Sequence, residues 1–315
     1  MNIRILGKTG IEVTELCFGT LPMGPLQKNL SDEESADLIV EAVRGGVNFI
    51  DTAQFYRTYA PIKLALKRVD KRPVIASKSI AQTYNDMQEA IDQALKAMGV
   101  DYIDIFHLHS ARVSSDVYKI RKGAFECLVE NKKKGKIKAV GVSGHSVKLI
   151  DFSADVDEVD VVFPLINIKG TGILEGTKED MEKAIAKCVN NNKGVYLMKV
   201  LAGGSIVGNY QEALEYARSI KGYASIAIGM VNKQEIDYNI KYFNNENLSW
   251  LPSITECKKS FIAVESLCQG CFACVDACPN GAISPKGQIA FIDQDRCLKC
   301  GYCVKECPEF AIRMI

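Results

Sequence analysis

Two groups of residues carry chemistry by their types and spacing. The first is a pair of cysteine runs. Cys268, Cys271, Cys274 and Cys278 are followed by Pro279, and Cys297, Cys300, Cys303 and Cys307 by Pro308. The second run repeats the first 29 residues further on. A tight loop with cysteines three apart turns three thiolates toward one iron–sulfur cluster, while the fourth cysteine serves a second cluster. The spacing predicts one [4Fe–4S] cluster on Cys268, Cys271, Cys274 and Cys307, and another on Cys297, Cys300, Cys303 and Cys278. The competing readings are a zinc ribbon and a disulfide scaffold. Zinc needs four ligands, commonly two separated Cys-x2-Cys pairs, whereas each run here holds four cysteines and then a proline. The second group is Asp51, Lys78 and His109, each at the end of an apolar run, with Tyr56 close behind Asp51. In a barrel of parallel strands, chemistry sits beyond the strands' C-terminal ends, which would gather these four on one rim.

The elements that must position them are legible as periodic patterns. Eight short apolar runs read as buried strands: 16–19, 47–51, 74–77, 102–108, 137–142, 159–163, 195–198 and 224–228. Their continuous apolar character suits parallel strands covered on both faces. Between them lie helical stripes. Met87, Ala90, Ile91, Ala94, Leu95 and Met98 make one, with Asp86 and Glu89 as an expected capping box and Gly99 after its end. Ser31 with Glu34, Asn209 with Glu212, and Asn232 with Glu235 open others, and a short helix is expected near 146–152. The alternation predicts an α/β chain with a (β/α)8 TIM barrel over residues 1–250. The rival, an open doubly wound sheet, lacks its usual Gly-x-Gly-x-x-Gly after a strand. Residues 251–259 read as a linker and 260–315 as a small cysteine-rich domain, whose Ile283, Ile289, Phe291 and Ile312 are expected to shield the clusters. Cys17, Cys127 and Cys188 are expected to be ordinary buried thiols.

The tail from about residue 260 resembles the bacterial two-cluster ferredoxins, a small α+β fold. The segments Phe49-Ile50-Asp51-Thr52-Ala53-Gln54-Phe55-Tyr56, Val74–Lys78 and Tyr102–His109, with Leu16-Cys17-Phe18-Gly19-Thr20, resemble the aldo-keto reductase family. The resemblance implies a catalytic tetrad of Asp51, Tyr56, Lys78 and His109. A phenol releases its proton poorly at neutral pH, and a neighbouring ammonium makes it more acidic. On this logic Lys78 would lower the Tyr56 pKa, Asp51 would hold Lys78, and His109 would orient a carbonyl oxygen. The resemblance also implies a nicotinamide, NADH or NADPH, on the same rim. Its expected contacts are Gly19, Thr20, Ser143 and Asn167, with Met198 where an aromatic would stack, and Gly229, Glu235 and Asn239 toward the adenosine. An acidic Glu235 where a phosphate-binding side chain usually stands suggests NADH. Loops 110–116 and 168–177 are expected to shape the substrate pocket.

Composition excludes some partners. Lys plus Arg is 39 and Asp plus Glu 38, a formal charge of +1 that gives no reason to expect nucleic acid. Lys132-Lys133-Lys134 reads as a solvated helix end. No apolar stretch reaches the roughly 20 residues of a membrane span, and the first residues lack a signal-peptide pattern, so the expected compartment is the cytoplasm. Two functions are consistent with these features. One is an oxidoreductase acting on a small carbonyl substrate and linked to single-electron transfer through the clusters. The other is an electron-transfer protein whose barrel docks redox partners. Hydride carries two electrons and a cluster one, so the first needs a group that splits the pair. A flavin, in the barrel or on a redox protein partner, would do this. The sequence carries no mark of a flavin site.

Overall fold

The apolar runs form strands because both of their faces find cover. The computed structural model describes every residue except 111–112, 205, 207–209, 249–259, 279–280 and 298–301. The expected linker, Asn209 and Cys300 fall outside the described residues. Eight parallel strands close into a barrel: Leu16–Gly19, Phe49–Asp51, Val74–Ser79, Ile103–Ser110, Ile137–Gly144, Val161–Pro164, Gly194–Leu197 and Ser225–Gly229. Each pairs with the next in chain order, and the last pairs with the first. Strand side chains alternate between faces. Cys17, Phe49, Ala76, Ile105, Ala139, Val161, Phe163 and Tyr196 fill the barrel's interior. Leu16, Phe18, Ile50, Ile75, Phe106 and Val140 point outward and pack beneath the surrounding helices.

Those helices begin where side chains satisfy their free N–H groups. Ser31 and Glu34 form the expected capping box on Asp32–Arg44. The helix expected from Asp86 starts earlier, at Tyr84, because Thr83 accepts the Asp86 N–H and is the true cap. Its other end is Gly99, at φ 68°, a left-handed turn that glycine adopts without strain. The short helix near 146–152 is Val147–Ser153, capped by Ser146. Asn232 caps Lys233–Phe243.

One element had no counterpart among the sequence expectations. Strands Ile3–Ile5 and Glu12–Thr14 form an antiparallel hairpin that closes the barrel's N-terminal end, with Leu6 and Val13 joining the interior core. Its turn packs tightly: a Cβ on Gly7 would lie 2.3 Å from the Gly194 nitrogen.

The cysteine-rich segment has its own small core. Phe261–Ala263 pairs with Ile312–Met314, and Ile283–Lys286 with Ile289–Ile292, both antiparallel. Ile283 and Ile312 are buried as expected. Phe291 is not. It is 46% exposed, with the Lys286 ammonium over its ring. Strand alternation sends Ala290 and Ile292 inward instead. No described helix is long and apolar enough to cross a membrane.

Candidate active site

Inward parity places the rim residues. Asp51 follows Phe49 by two, Lys78 follows Ala76, His107 and His109 follow Ile105, and Ser143 sits four beyond Ala139. The register sets Lys78 beside His107 and His109 beside Ser143. Gly141 is required for that packing, since a Cβ there would lie 2.2 Å from His107 Nδ1.

The centre of the site is a buried ion pair. Lys78 Nζ donates to Asp51 Oδ1 at 2.7 Å, to Asp51 Oδ2 at 2.6 Å and to the Thr52 carbonyl at 2.7 Å. Burial pushes the Asp51 carboxyl up and the Lys78 ammonium down from their ordinary ranges, and their mutual attraction opposes both shifts. Tyr196, which in the sequence is one residue of an apolar strand, completes the network. Its hydroxyl donates to Asp51 Oδ1 at 3.0 Å and lies 2.6 Å from His107 Nε2. Its ring stacks on Phe163 at 3.8 Å.

Tyr56 stands above this pair in a short turn, Gln54–Tyr56, after the second barrel strand. The Lys78 ammonium is 5.0 Å from its ring centroid, and the His109 ring meets it edge-on at 6.3 Å. The expectation that Lys78 acidifies the phenol does not hold in this geometry. Lys78 spends its donors on Asp51 and Thr52, and burial with the nearby Asp51 charge raises the Tyr56 pKa above its ordinary value. The cation acting against that rise is Arg313, from the cysteine-rich domain.

His109 is held neutral. Burial, then the charges of Lys78, Lys199 and Arg121, bring its pKa down to about 3, and burial likewise depresses His107. The His109 Nδ1 atom is buried with no partner among the described residues. In the unfolded chain each imidazole takes a proton near pH 6.5. The folded state resists it, so stability is complete above that pH and falls as pH drops toward the folded pKa. Urea unfolding should lose about 1–2 kcal/mol per imidazole between pH 6.5 and 5, and His109→Gln should remove its share of that slope. An unchanged slope would mean that His109 titrates normally in the folded protein.

A cleft opens beside Tyr56. Gly19, Asp51, Tyr56, Met198, Gly229, Glu235 and Asn239 all line it. Three expected contacts do not. The Thr20 hydroxyl is 2.8 Å from that of Thr58, which holds it in the wall. Asn167 closes its own loop, donating to the Thr171 carbonyl at 2.9 Å and accepting the Thr171 N–H at 3.0 Å. Ser143 Oγ is buried without a partner among the described residues. Such an atom is costly unless a ligand or water satisfies it. At the far end, Asn239 accepts from the Tyr210 hydroxyl at 2.7 Å, and Glu235 accepts the Val231 N–H at 2.9 Å. The expected substrate loop 168–177 meets the cysteine-rich domain instead, with Phe310 against Gly172. Part of the cleft's wall comes from Gly203, Gly204, Arg313, Met314 and Ile315.

In that domain, Cys268, Cys271, Cys274 and Cys307 line one cavity. Burial, then the charges of the other three, hold the Cys274 thiol up at about 11. Among the described residues no three ligands converge on a position for a single metal ion. Four thiols lining one cavity, three of them from a single run with cysteines three apart, fit a cubane. Backbone N–H groups reach the sulfurs: Ala311 to Cys307 at 3.2 Å, Ala282 to Cys278 at 3.3 Å and Ala290 to Cys268 at 3.5 Å. Such donors stabilise thiolates and tune cluster potential. Cys17, Cys127 and Cys188 are buried.

Comparison with known proteins agrees with this geometry. Residues 15–219 match the family model described as the aldo/keto reductase family, and residues 267–311 match a 4Fe-4S dicluster domain. L-galactose dehydrogenase of Arabidopsis thaliana is 22% identical over 293 residues, covering 76% of this chain and 87% of that protein. Aldo-keto reductase YhdN of Bacillus subtilis is 26% identical over 229 residues, covering 67% of this chain and 66% of its own length. The holo form of an aldo-keto reductase from Bacillus halodurans superposes with a TM-score of 0.63 over 76% of this chain and 90% of that one. At 18% identity it speaks for the fold alone. With a barrel match spanning well over half its length and a buried Asp–Lys pair at the matching rim, the chain is an oxidoreductase of the aldo/keto reductase family that carries a 4Fe-4S dicluster domain at its C-terminal side.

Proposed function

We propose that this protein reduces a small carbonyl compound with a nicotinamide cofactor, or runs the reverse oxidation, with Tyr56 as proton donor. In this reading the eight cysteines of residues 268–307 would hold two [4Fe–4S] clusters, which would supply single-electron transfer between the site and a redox partner. The observation that carries it is the shared cleft, where Asp51 and Tyr56 face the same space as Met198, Gly229, Glu235 and Asn239. A bound nicotinamide supplies hydride to the carbonyl carbon. The protein's residues do the rest. Tyr56 remains protonated across the working pH range and delivers its hydroxyl proton to the oxygen as charge develops there. Lys78, fixed by Asp51 and Thr52, sets its ammonium against the Tyr56 ring and orients it, while Arg313 is the cation that favours the phenolate left behind. Neutral His109, edge-on to Tyr56, positions the oxygen. Met198 offers a polarizable surface where an aromatic would otherwise stack. A flavin, in the cleft or on the partner, would join hydride chemistry to single-electron traffic.

Anaerobic purification with iron and sulfide analysis should find about eight irons per chain. Titration should favour NADH over NADPH by about tenfold or more, because the Glu235 carboxylate repels a 2′-phosphate and accepts ribose hydroxyls. Tighter NADPH binding would refute that preference. A second reading, a redox-docking protein with an idle barrel, draws on Thr20 and Asn167, whose side chains are taken up by protein contacts. Intact, reducible clusters without turnover of any carbonyl by either nucleotide would put it in place of the first.

A further inference from the structure

The last strand of the cluster domain enters the barrel's cleft. Arg313, 4% exposed, lines it together with Tyr56, Met198 and Gly203. Its guanidinium lies 4.1 Å from the Phe310 ring centroid. Its Cδ and Nη1 pass 3.2 Å and 3.5 Å from where a Cβ on Gly203 would be, so a side chain there would displace it. Lys199, held at φ 57° just beyond the seventh barrel strand, sets its ammonium 4.4 Å from the centre of the same ring. One aromatic ring therefore gathers two cations, one from each domain. The charge of Arg313 acts on the Tyr56 phenol and that of Lys199 on the His109 imidazole. These are the two side chains that would touch a carbonyl oxygen. Arg313 and Lys199 line the end of the cleft that holds Asp51 and Tyr56, while Glu235 and Asn239 line the part assigned to adenosine.

We propose that Arg313 and Lys199 form a carboxylate-recognition site shared by the two domains, so that the preferred substrate is a carbonyl compound bearing a carboxylate next to its reacting carbon. This rests on the carbonyl-reduction reading and deepens it. A guanidinium grips a carboxylate through two parallel N–H bonds, and an ammonium adds a point charge. A planar acid group held this way leaves its neighbouring carbonyl oxygen directed at Tyr56 and His109. The plainer role for Arg313 is a clamp between domains, which would affect every substrate equally.

The test uses the full chain with its clusters and compares a 2-oxo acid with its methyl ester. Wild-type protein should favour the acid in kcat/KM. Arg313→Gln and Lys199→Met should each cut the acid-to-ester ratio by about 30-fold or more, with Arg313→Lys retaining more of it than Arg313→Gln. Calorimetric binding of oxamate, a carboxylate that is not reduced, should weaken by a similar factor. Equal loss on acid and ester, or a loss confined to nicotinamide KM, would overturn the site. Cluster absorbance reports folding. If Arg313→Gln misfolds, Lys199→Met in the barrel carries the same comparison. If no carbonyl is turned over at all, oxamate still decides: binding that depends on Arg313 keeps the site and sinks the reductase reading, while absent or indifferent binding sinks the site.

Discussion

Replacing Tyr56 with Phe should lower kcat about 10²- to 10⁴-fold while nucleotide affinity stays within about twofold, the range expected when a positioned general acid is removed. The substitution deletes one hydroxyl and keeps the ring, so the edge-on packing against His109 and the face toward Lys78 survive. The loss therefore belongs to proton delivery. Because the folded phenol titrates above its ordinary value, the wild-type reduction rate should be nearly level through neutral pH, with its alkaline limb displaced upward. Steady-state kinetics of both proteins from pH 6 to 9.5 would measure this. A variant within fivefold of wild type would mean that water or another group supplies the proton, and Tyr56 would lose its assigned role.

The second large effect falls on stability. Lys78→Met should cost about 3–5 kcal/mol, because it leaves the Asp51 carboxylate buried without its cation. Lys78 is 1% exposed and gives Asp51 two contacts, so water has no route to compensate. The Tyr196 hydroxyl would remain as a donor to Asp51. The stranded acid should take up a proton well above its normal pKa, so the variant should regain stability on mild acidification, opposite to the trend the imidazoles impose. Denaturant midpoints at pH 7.5 and 5.5 would show it. Lys78→Met combined with Asp51→Asn should recover part of the loss. A single variant as stable as wild type would mean that the pair contributes nothing to folding.

How much of this could be read from the sequence follows from which interactions are local. The strands were legible as short continuous apolar runs because both of their faces are covered, and the helices because burial on every third or fourth residue leaves a periodic trace. The rim residues were legible because each of Asp51, Lys78 and His109 ends an apolar run, where barrel chemistry sits; their inward parity with Phe49, Ala76 and Ile105 came only with the structure. The error at Asp86 arose because Thr83 offers an equivalent cap three residues earlier. Tyr196 looked like core within an apolar strand. The available signal was a phenol at an inward position, which needs a hydrogen-bond partner when buried. Lys132 read as a solvated helix end, yet it donates to both Asp160 oxygens at 2.7 and 2.6 Å and ties its helix to the barrel. Asn167 and Thr20, expected as nucleotide contacts, spend their polar atoms on neighbours instead. Arg313 was out of reach altogether, since no local pattern records how one domain packs on another.

The hairpin that stoppers the barrel has a practical corollary. The Met1 amino group reaches Asn244, just past the last barrel helix, whereas Ile315 borders the catalytic opening. An affinity handle or fluorophore grafted ahead of Met1 would sit at the pole remote from the chemistry. The same graft behind Ile315 would stand in the doorway, so comparing the two fusions offers a simple way to learn how much room a visiting molecule requires.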